Sequence, residues 1–315
     1  MILVTGASGF VGGALIKRLA VDRVSVVAAV RRIVNSLPAE TQQVQVGDFF
    51  ETTDWGLALK SVDAVVHCGA RVHVMKDDAK TPIQAYREVN VNSTLNLARQ
   101  AAKGGVKRFI FLSSAKVNGE STELGQPFTA DDVPAPQDPY GVSKHEAEQL
   151  LWQLAGETGM EIVIIRPPLV YGPGVKANFE SMMRWLALGI PLPLAAVTDN
   201  RRSLVALDNL VDLIMTCLNH PAAANRTFLV SDDEDLSTAD LLKGIGAAIE
   251  RPVRLFHLPP ALLKLGASVL NNRHVYQRLC GSLQLDISTT CKVLSWTPPI
   301  SVDEGFRRTA ECFRL

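Results

Sequence analysis

The stretch Ile2-Leu3-Val4-Thr5-Gly6-Ala7-Ser8-Gly9-Phe10-Val11-Gly12-Gly13, followed by a helical pattern from Ala14 to Ala20, opens the chain. A short aliphatic run, a turn with glycines three residues apart and a helix stand in the order that begins a βαβ unit. Glycines let the backbone turn tightly and come close to a pyrophosphate, whose charge suits the N–H groups and positive end of the following helix. Gly6, Ser8, Gly9, Phe10, Val11 and Gly12 are therefore predicted to cradle a dinucleotide, with an ordinary βα turn as the competing reading.

Outward from this turn, short β-branched runs alternate with longer helical patterns as far as residue 170: Ser25 to Val30, Val44 to Val46, Ala64 to Val66, Phe109 to Leu112 and Ile162 to Ile165. This alternation predicts an α/β fold, a Rossmann-like, doubly wound parallel sheet. The runs are apolar almost throughout, as expected where helices cover both faces. Beyond residue 170 the pattern changes to helical pieces near 175–189, 207–219, 237–249 and 259–271, with short strands around Leu204 and Phe228. Residues 1–170 are expected to form the dinucleotide-binding domain and 171–315 a smaller mixed lobe for substrate, the chain crossing between them at Pro167 to Gly174 and elsewhere.

The 315 residues balance 32 basic against 32 acidic side chains, which leaves no electrostatic footprint for a nucleic acid or an anionic membrane. Five scattered cysteines without a CxxC pair suit free thiols in a reducing cytoplasm. No secretory signal pattern is evident. Apolar stretches such as Val24 to Val30 and Leu258 to Leu270 are too short or too broken to span a bilayer, so a cytoplasmic protein without membrane insertion is expected. No His/Cys/Asp/Glu spacing indicates a metal site. His67 and His73 read as structural, and Asp232-Asp233-Glu234-Asp235 as a solvated loop before a helix capped by Ser237 or Thr238.

Two further motifs carry chemistry. At the end of the second strand, where an acidic residue often receives the ribose 2′-hydroxyl, the chain reads Val30-Arg31-Arg32. An arginine there can pair with a 2′-phosphate, so NADP(H) is favoured and NAD(H) remains possible; a solvated arginine pair is the alternative. Tyr140-Gly141-Val142-Ser143-Lys144 places a phenol and an ammonium on one helix face. A neighbouring cation stabilises phenolate, bringing the hydroxyl nearer to use as an acid or base at neutral pH. Ser113-Ser114 follows the fifth strand.

The GxxGxxG spacing, together with Phe111-Leu112-Ser113-Ser114-Ala115-Lys116-Val117-Asn118-Gly119, Tyr140 to Lys144 and Arg166-Pro167-Pro168-Leu169-Val170-Tyr171-Gly172, resembles the extended short-chain dehydrogenase/reductase family of sugar-nucleotide epimerases, dehydratases and reductases. The resemblance covers essentially the whole chain. It implies that Ser114, Tyr140 and Lys144 are catalytic: Tyr140 exchanges a proton with a sugar oxygen, Ser114 bonds the same oxygen, and Lys144 holds the nicotinamide ribose. It adds Asp48, Phe49, Gly69, Ala70, Arg71, Asn90 and Pro167 to the cofactor residues. Substrate contacts are implied at Ser114, Lys116, Asn178, Arg202 and, more loosely, Arg278.

Dehydratases of that family carry an Asp-Glu pair directly after the catalytic Ser/Thr, where this chain has Ala115 and Lys116, so elimination is disfavoured. The segments around Arg71, Asn178 and Arg202 look like those of bacterial UDP-sugar 4-ketoreductases of polysaccharide (O-antigen) biosynthesis. Such enzymes reduce a UDP-2-acetamido-2,6-dideoxy-4-hexulose, as in the formation of UDP-N-acetylquinovosamine. NAD(P)H-dependent reduction of such a UDP-sugar is the leading expectation. A UDP-hexose 4-epimerase with retained NAD is the nearest alternative, and a dinucleotide-sensing or scaffold protein the non-enzymatic one. Helices beginning near Pro82 and at Tyr140 are expected to pair across a homodimer as a four-helix bundle.

Overall fold

The computed structural model describes residues 1–72, 82–269 and 273–313. Its strands are β1 (Ile2–Thr5), β2 (Val26–Val30), β3 (Gln42–Gln45), β4 (Ala64–His67), β5 (Arg108–Leu112), β6 (Glu161–Arg166), β7 (Leu169–Tyr171), β8 (Leu204–Ala206) and β9 (Arg226–Leu229). Seven of them form one parallel sheet in the order β3-β2-β1-β4-β5-β6-β9, and β7 pairs with β8 separately. Strands β2, β4 and β5 are buried almost along their whole length, which explains their continuous apolar runs. β3 lies at the sheet edge, reads Gln-Gln-Val-Gln and begins two residues before the expected Val44.

The helices are α1 (Phe10–Val21), α2 (Pro82–Arg87), α3 (Ser93–Lys103), α4 (Pro139–Thr158), α5 (Ala177–Ala187), α6 (Leu207–Asn219), α7 (Thr238–Ala248), α8 (Pro260–Val269), α9 (Arg273–Cys280), α10 (Ser288–Leu294) and α11 (Val302–Glu311). Two apolar clusters cover the two faces of the large sheet. One gathers α1 and α6 over β1, the other Trp55, α3 and α4 over β5 and β6. A third cluster, around Tyr171, Phe179, Leu204, Leu241 and Phe306, is the core beneath the C-terminal part. The strand expected near Phe228 is β9, which extends the large sheet beside β6, and α6 packs on α1. Both segments thus return to the dinucleotide-binding half.

The acidic run departs from the solvated-loop expectation. Asp233 and Glu234 are exposed, but Asp232 is buried and accepts hydrogen bonds from Ala206 N (2.8 Å), Asn209 Nδ2 (2.7 Å) and Tyr171 Oη (2.8 Å). The start of α6 has no cap from its own N-cap residue, and Asp232 answers that polar end from across the chain. Ser237 caps α7 through Asp240 N, as expected. All five cysteines are free.

His67, at the end of β4, is bonded through Nδ1 to Thr5 (2.6 Å) and through Nε2 to Thr94 (2.9 Å), and its ring stacks on Phe111. His73 lies outside the described residues. Burial, and secondarily the Lys144 charge, push the His67 pKa down to about 3. The folded protein therefore keeps His67 neutral in the range where the unfolded chain, with its ordinary value of 6.5, takes up a proton. Stability contributed in this way is present above pH 6.5 and lost as pH falls towards 3. Urea unfolding between these limits should lose up to about 1.4 kcal/mol per pH unit from this group, and His67→Gln should flatten the slope by that amount; an unchanged slope would exclude His67 as its source.

Candidate active site

β5 ends at Leu112, and the chain passes through Ser113 and Ser114 into a single tight turn, Ala115–Val117. α4 begins at Pro139, a proline well suited to the first helical position. Asp138 caps it, accepting a bond from Gly141 N at 2.6 Å. These two segments are pressed together: a Cβ on Gly141 would lie 2.9 Å from the Lys116 carbonyl oxygen. The contact sets Tyr140, in the first turn of α4, beside Ser114, whose hydroxyl donates a hydrogen bond to the phenol oxygen.

Lys144 follows one turn later. It is buried, donates to the Leu112 carbonyl at 2.8 Å, and lies 4.3 Å from the centroid of the Phe111 ring. Burial lowers its pKa to about 7, against the opposing influence of Cys68 and Glu148. Tyr140 is shifted the other way, above its ordinary value of 10, first by burial, then by Asp138 and Tyr86, with the Ser114 bond opposing. The phenol is thus raised where the sequence reading expected it lowered, because desolvation together with Asp138 and Tyr86 outweighs the Ser114 bond.

A buried network holds the serine turn from behind. Ser113 Oγ donates to Glu148 Oε1 at 2.5 Å, and Arg166 grips both oxygens of Glu148 at 2.9 and 2.5 Å. The same guanidinium reaches Asn118 Oδ1 at 3.1 Å. Ser113, Asn118 and Arg166 lie within the quoted motifs but were given no role from the sequence, and Glu148 was not singled out.

The nucleotide side fits a dinucleotide. Gly6 has φ +63°, and a Cβ on Gly12 would lie 2.3 Å from the Gly6 carbonyl oxygen, so strand and helix meet more closely than side chains allow. Gly9 is the N-cap of α1 and provides no side-chain cap, and no acidic residue occupies the first turn. The helix start thus presents N–H groups and a positive dipole to an anion. Ser8 is exposed in the turn, with Phe10 and Val11 partly buried in the first helical turn. Arg31 and Arg32 are exposed just past β2, and the Arg31 guanidinium lies 3.7 Å from the Asp48 carboxylate. The Phe49 ring packs on Trp55 and against Gly69.

Asn90 is positioned differently from a direct cofactor ligand. It lies in a π-helical turn, Glu88–Asn92, between α2 and α3. Its amide bonds Arg71 N (2.7 Å), Arg71 O (3.0 Å) and Ser143 Oγ (3.0 Å), pinning the Gly69-Ala70-Arg71 loop to α4. The Arg71 guanidinium stands 5.7 Å over the Tyr86 ring. Pro167, past β6, accepts Ala115 N at 2.9 Å and so anchors the serine turn.

On the substrate side, Arg202 is largely enclosed and donates to Gly281 O at 3.1 Å. Its pKa is lowered by burial and then by the nearby Arg278 cation, while Glu120 opposes. Two guanidinium groups thus stand near enough to repel each other, with the Glu120 carboxylate opposing. Lys116 pairs with Glu120 (2.9 Å) and Asp138 (2.5 Å), two carboxylates the sequence reading did not include. The Asp138-Pro139 pair, a cap followed by a first-turn proline, was the available signal. Asn178 is the second residue of α5, and its side chain lies outside the described residues.

The model of a protein family described as the NAD dependent epimerase/dehydratase family matches residues 2–231. The chain belongs to this family. It is an enzyme family, and its fold carries the parallel sheet described above. A UDP-glucose 4-epimerase of Vibrio cholerae is 50% identical over 313 residues, covering 99% of this chain and 95% of that protein. A UDP-glucose 4-epimerase of Mycolicibacterium smegmatis is 28% identical, covering 99% and 98%. Among solved structures, the UDP-glucose 4-epimerase of Thermotoga maritima with UDP-glucose superposes with TM-score 0.78 at 21% identity, covering 99% of this chain and 97% of that one. The Bacillus cereus UDP-glucuronic acid 4-epimerase with NAD gives 0.79 at 21% identity and the same coverage.

Tyr140→Phe keeps the ring and removes the hydroxyl that Ser114 bonds. It is expected to bind the dinucleotide as the parent enzyme does and to lose roughly 10²-fold or more in turnover. Steady-state kinetics beside a dinucleotide titration check this, and near-parental turnover would remove Tyr140 from the chemistry.

Proposed function

We propose that this enzyme interconverts UDP-hexoses at C4, acting as a 4-epimerase of the UDP-glucose type with retained NAD. The reading replaces the 4-ketoreductase expectation, and the observation that carries it is the 50% identity to the Vibrio cholerae 4-epimerase over 99% of the chain. The site is consistent with it. When bound, the nicotinamide supplies the acceptor for the hydride leaving C4 of the sugar and returns it to the opposite face of the same carbon. Tyr140 takes the proton from the 4-hydroxyl as the hydride leaves and gives it back when the hydride returns. Ser114 orients that oxygen, and Lys144, its pKa lowered to about 7 by burial, would bond the ribose and share in proton movement. Arg202 and Arg278 would hold the diphosphate of the UDP moiety.

For the cofactor, NAD is proposed over NADP(H). The family is NAD-dependent by description and a related structure holds NAD. Arg31 is engaged with Asp48 rather than standing alone; on this reading the pair braces the adenosine end of the site.

The enzyme as purified, incubated with UDP-glucose and no added reductant, should yield UDP-galactose, and mass spectrometry of the denatured protein should release a stoichiometric amount of NAD. A requirement for added NADPH, consumed mole for mole with product, would instead establish the reductase.

A homodimer is proposed through α2 and α4, which pack together and share a bidentate ion pair between Arg87 and Glu146. Their outer faces would complete a four-helix bundle with a second copy. Among the described residues no helix is long and apolar enough to cross a membrane. Light scattering at micromolar concentration should give twice the chain mass, and the mass of one chain would rule the dimer out.

A further inference from the structure

Lys116 stands two residues after Ser114, and its contacts close a ring around the catalytic pair. Its backbone N–H donates to Ser114 Oγ at 3.2 Å. Its ammonium lies 2.5 Å from one oxygen of Asp138 and 2.9 Å from Glu120. The other Asp138 oxygen accepts Gly141 N at 2.6 Å, the residue next to Tyr140. The Ser114 hydroxyl bonds the Tyr140 phenol and completes the circuit. Lys116 and Asp138 are only 22% and 21% exposed, so their charges are less screened than those of a surface pair.

Asp138 is a good helix cap, but it puts a carboxylate two residues before a tyrosine that must lose a proton. An unanswered negative charge there would oppose phenolate. Among the described residues, Tyr140 is faced by Asp138 at the cap of α4, by Tyr86 with the Arg71 guanidinium over its ring, and by Ser114, to which the Lys116 N–H is bonded; Lys144 follows one turn on. Lys144 is directed to the Leu112 carbonyl and the Phe111 ring. Lys116 is in direct contact with Asp138.

We propose that Lys116 is a positioning residue: it neutralises the Asp138 carboxylate beside Tyr140, so setting the pH at which the phenol serves as a base, and it fixes the serine turn against the start of α4. The upward shift of Tyr140 already caused in part by Asp138 has the sign this role requires. The inference rests on the proposed function only in taking Tyr140 as the base.

The test compares Lys116→Met, Lys116→Arg, Asp138→Asn and the double variant Lys116→Met/Asp138→Asn in the holoenzyme. Two readouts are taken: the rising limb of kcat/KM against pH, and the near-ultraviolet absorbance of tyrosinate, with Tyr140→Phe subtracting the other three of the 4 tyrosines. Lys116→Met should move both to higher pH by about one unit, a tenfold loss of phenolate at a given pH on the limb. Lys116→Arg should leave both in place, and Asp138→Asn, which can still cap the helix, should move both to lower pH. The double variant should return close to the parent. An unmoved limb in Lys116→Met, or a double variant displaced as far as Lys116→Met alone, overturns the proposal. Should Lys116→Met fail to fold, the direction of the Asp138→Asn shift decides. Failure of the epimerase reading would leave the tyrosinate titration intact, so the two can fail separately.

Discussion

Glu148 holds the catalytic residues in register. It lies one turn after Lys144 on α4, receives both arms of Arg166 from the end of β6, and accepts the hydroxyl of Ser113 from the end of β5. Three elements, β5, α4 and β6, thus meet at one carboxylate, with both charges buried. A buried pair of this kind contributes little net stability over an apolar pair of the same volume, whereas removal of one partner leaves a buried unpaired charge. Its value here is directional. Ser114 is the residue after Ser113, and Tyr140 and Lys144 precede Glu148 by two turns and one turn of the same helix.

The electrostatics of the site follow from that enclosure. Desolvation drives Lys144 towards neutrality and Tyr140 towards its protonated form, so two groups with nearly equal proton affinity when free move apart, the phenol holding its proton more tightly than the ammonium. Functional sites often show shifts of this kind. The charged groups at the mouth, Lys116, Asp138 and Glu120, are arranged around one ammonium and keep two carboxylates from acting alone on the reacting oxygen.

Much of this was legible in the sequence, and the reasons differ by feature. The glycine turn and the Tyr140–Lys144 spacing are local, so their chemistry is written within a few residues, and the parallel sheet follows from continuous apolar runs. Asp232 was misread because a run of four acids looks solvated, while the partners that bury one of them, Tyr171, Ala206 and Asn209, come from other segments. The Glu148–Arg166 pair was hidden for the same reason, being 18 residues apart. The resemblance placed Asn90 among the cofactor residues, and the sequence could not reveal that its helix carries a wider turn, which aims the amide at the Arg71 backbone. The β9 strand joins a sheet whose other members end 60 residues earlier, a return that only the register with β6 makes visible.

The π-helical turn at Glu88–Asn92 also sets the phase of the helices on either side of it. Such a turn holds one residue more than a regular helix, and each residue rotates the chain by about 100° about the axis. An ancestral insertion here would have swung α2 around relative to α3 without lengthening any loop. Tyr86 and Arg87, which now face Tyr140 and Glu146, owe their phase to that extra residue. A chain with one residue deleted from this turn would regain a smooth helix and turn both side chains away from α4. Length variation at this point should therefore be constrained across lineages even where the residue types drift.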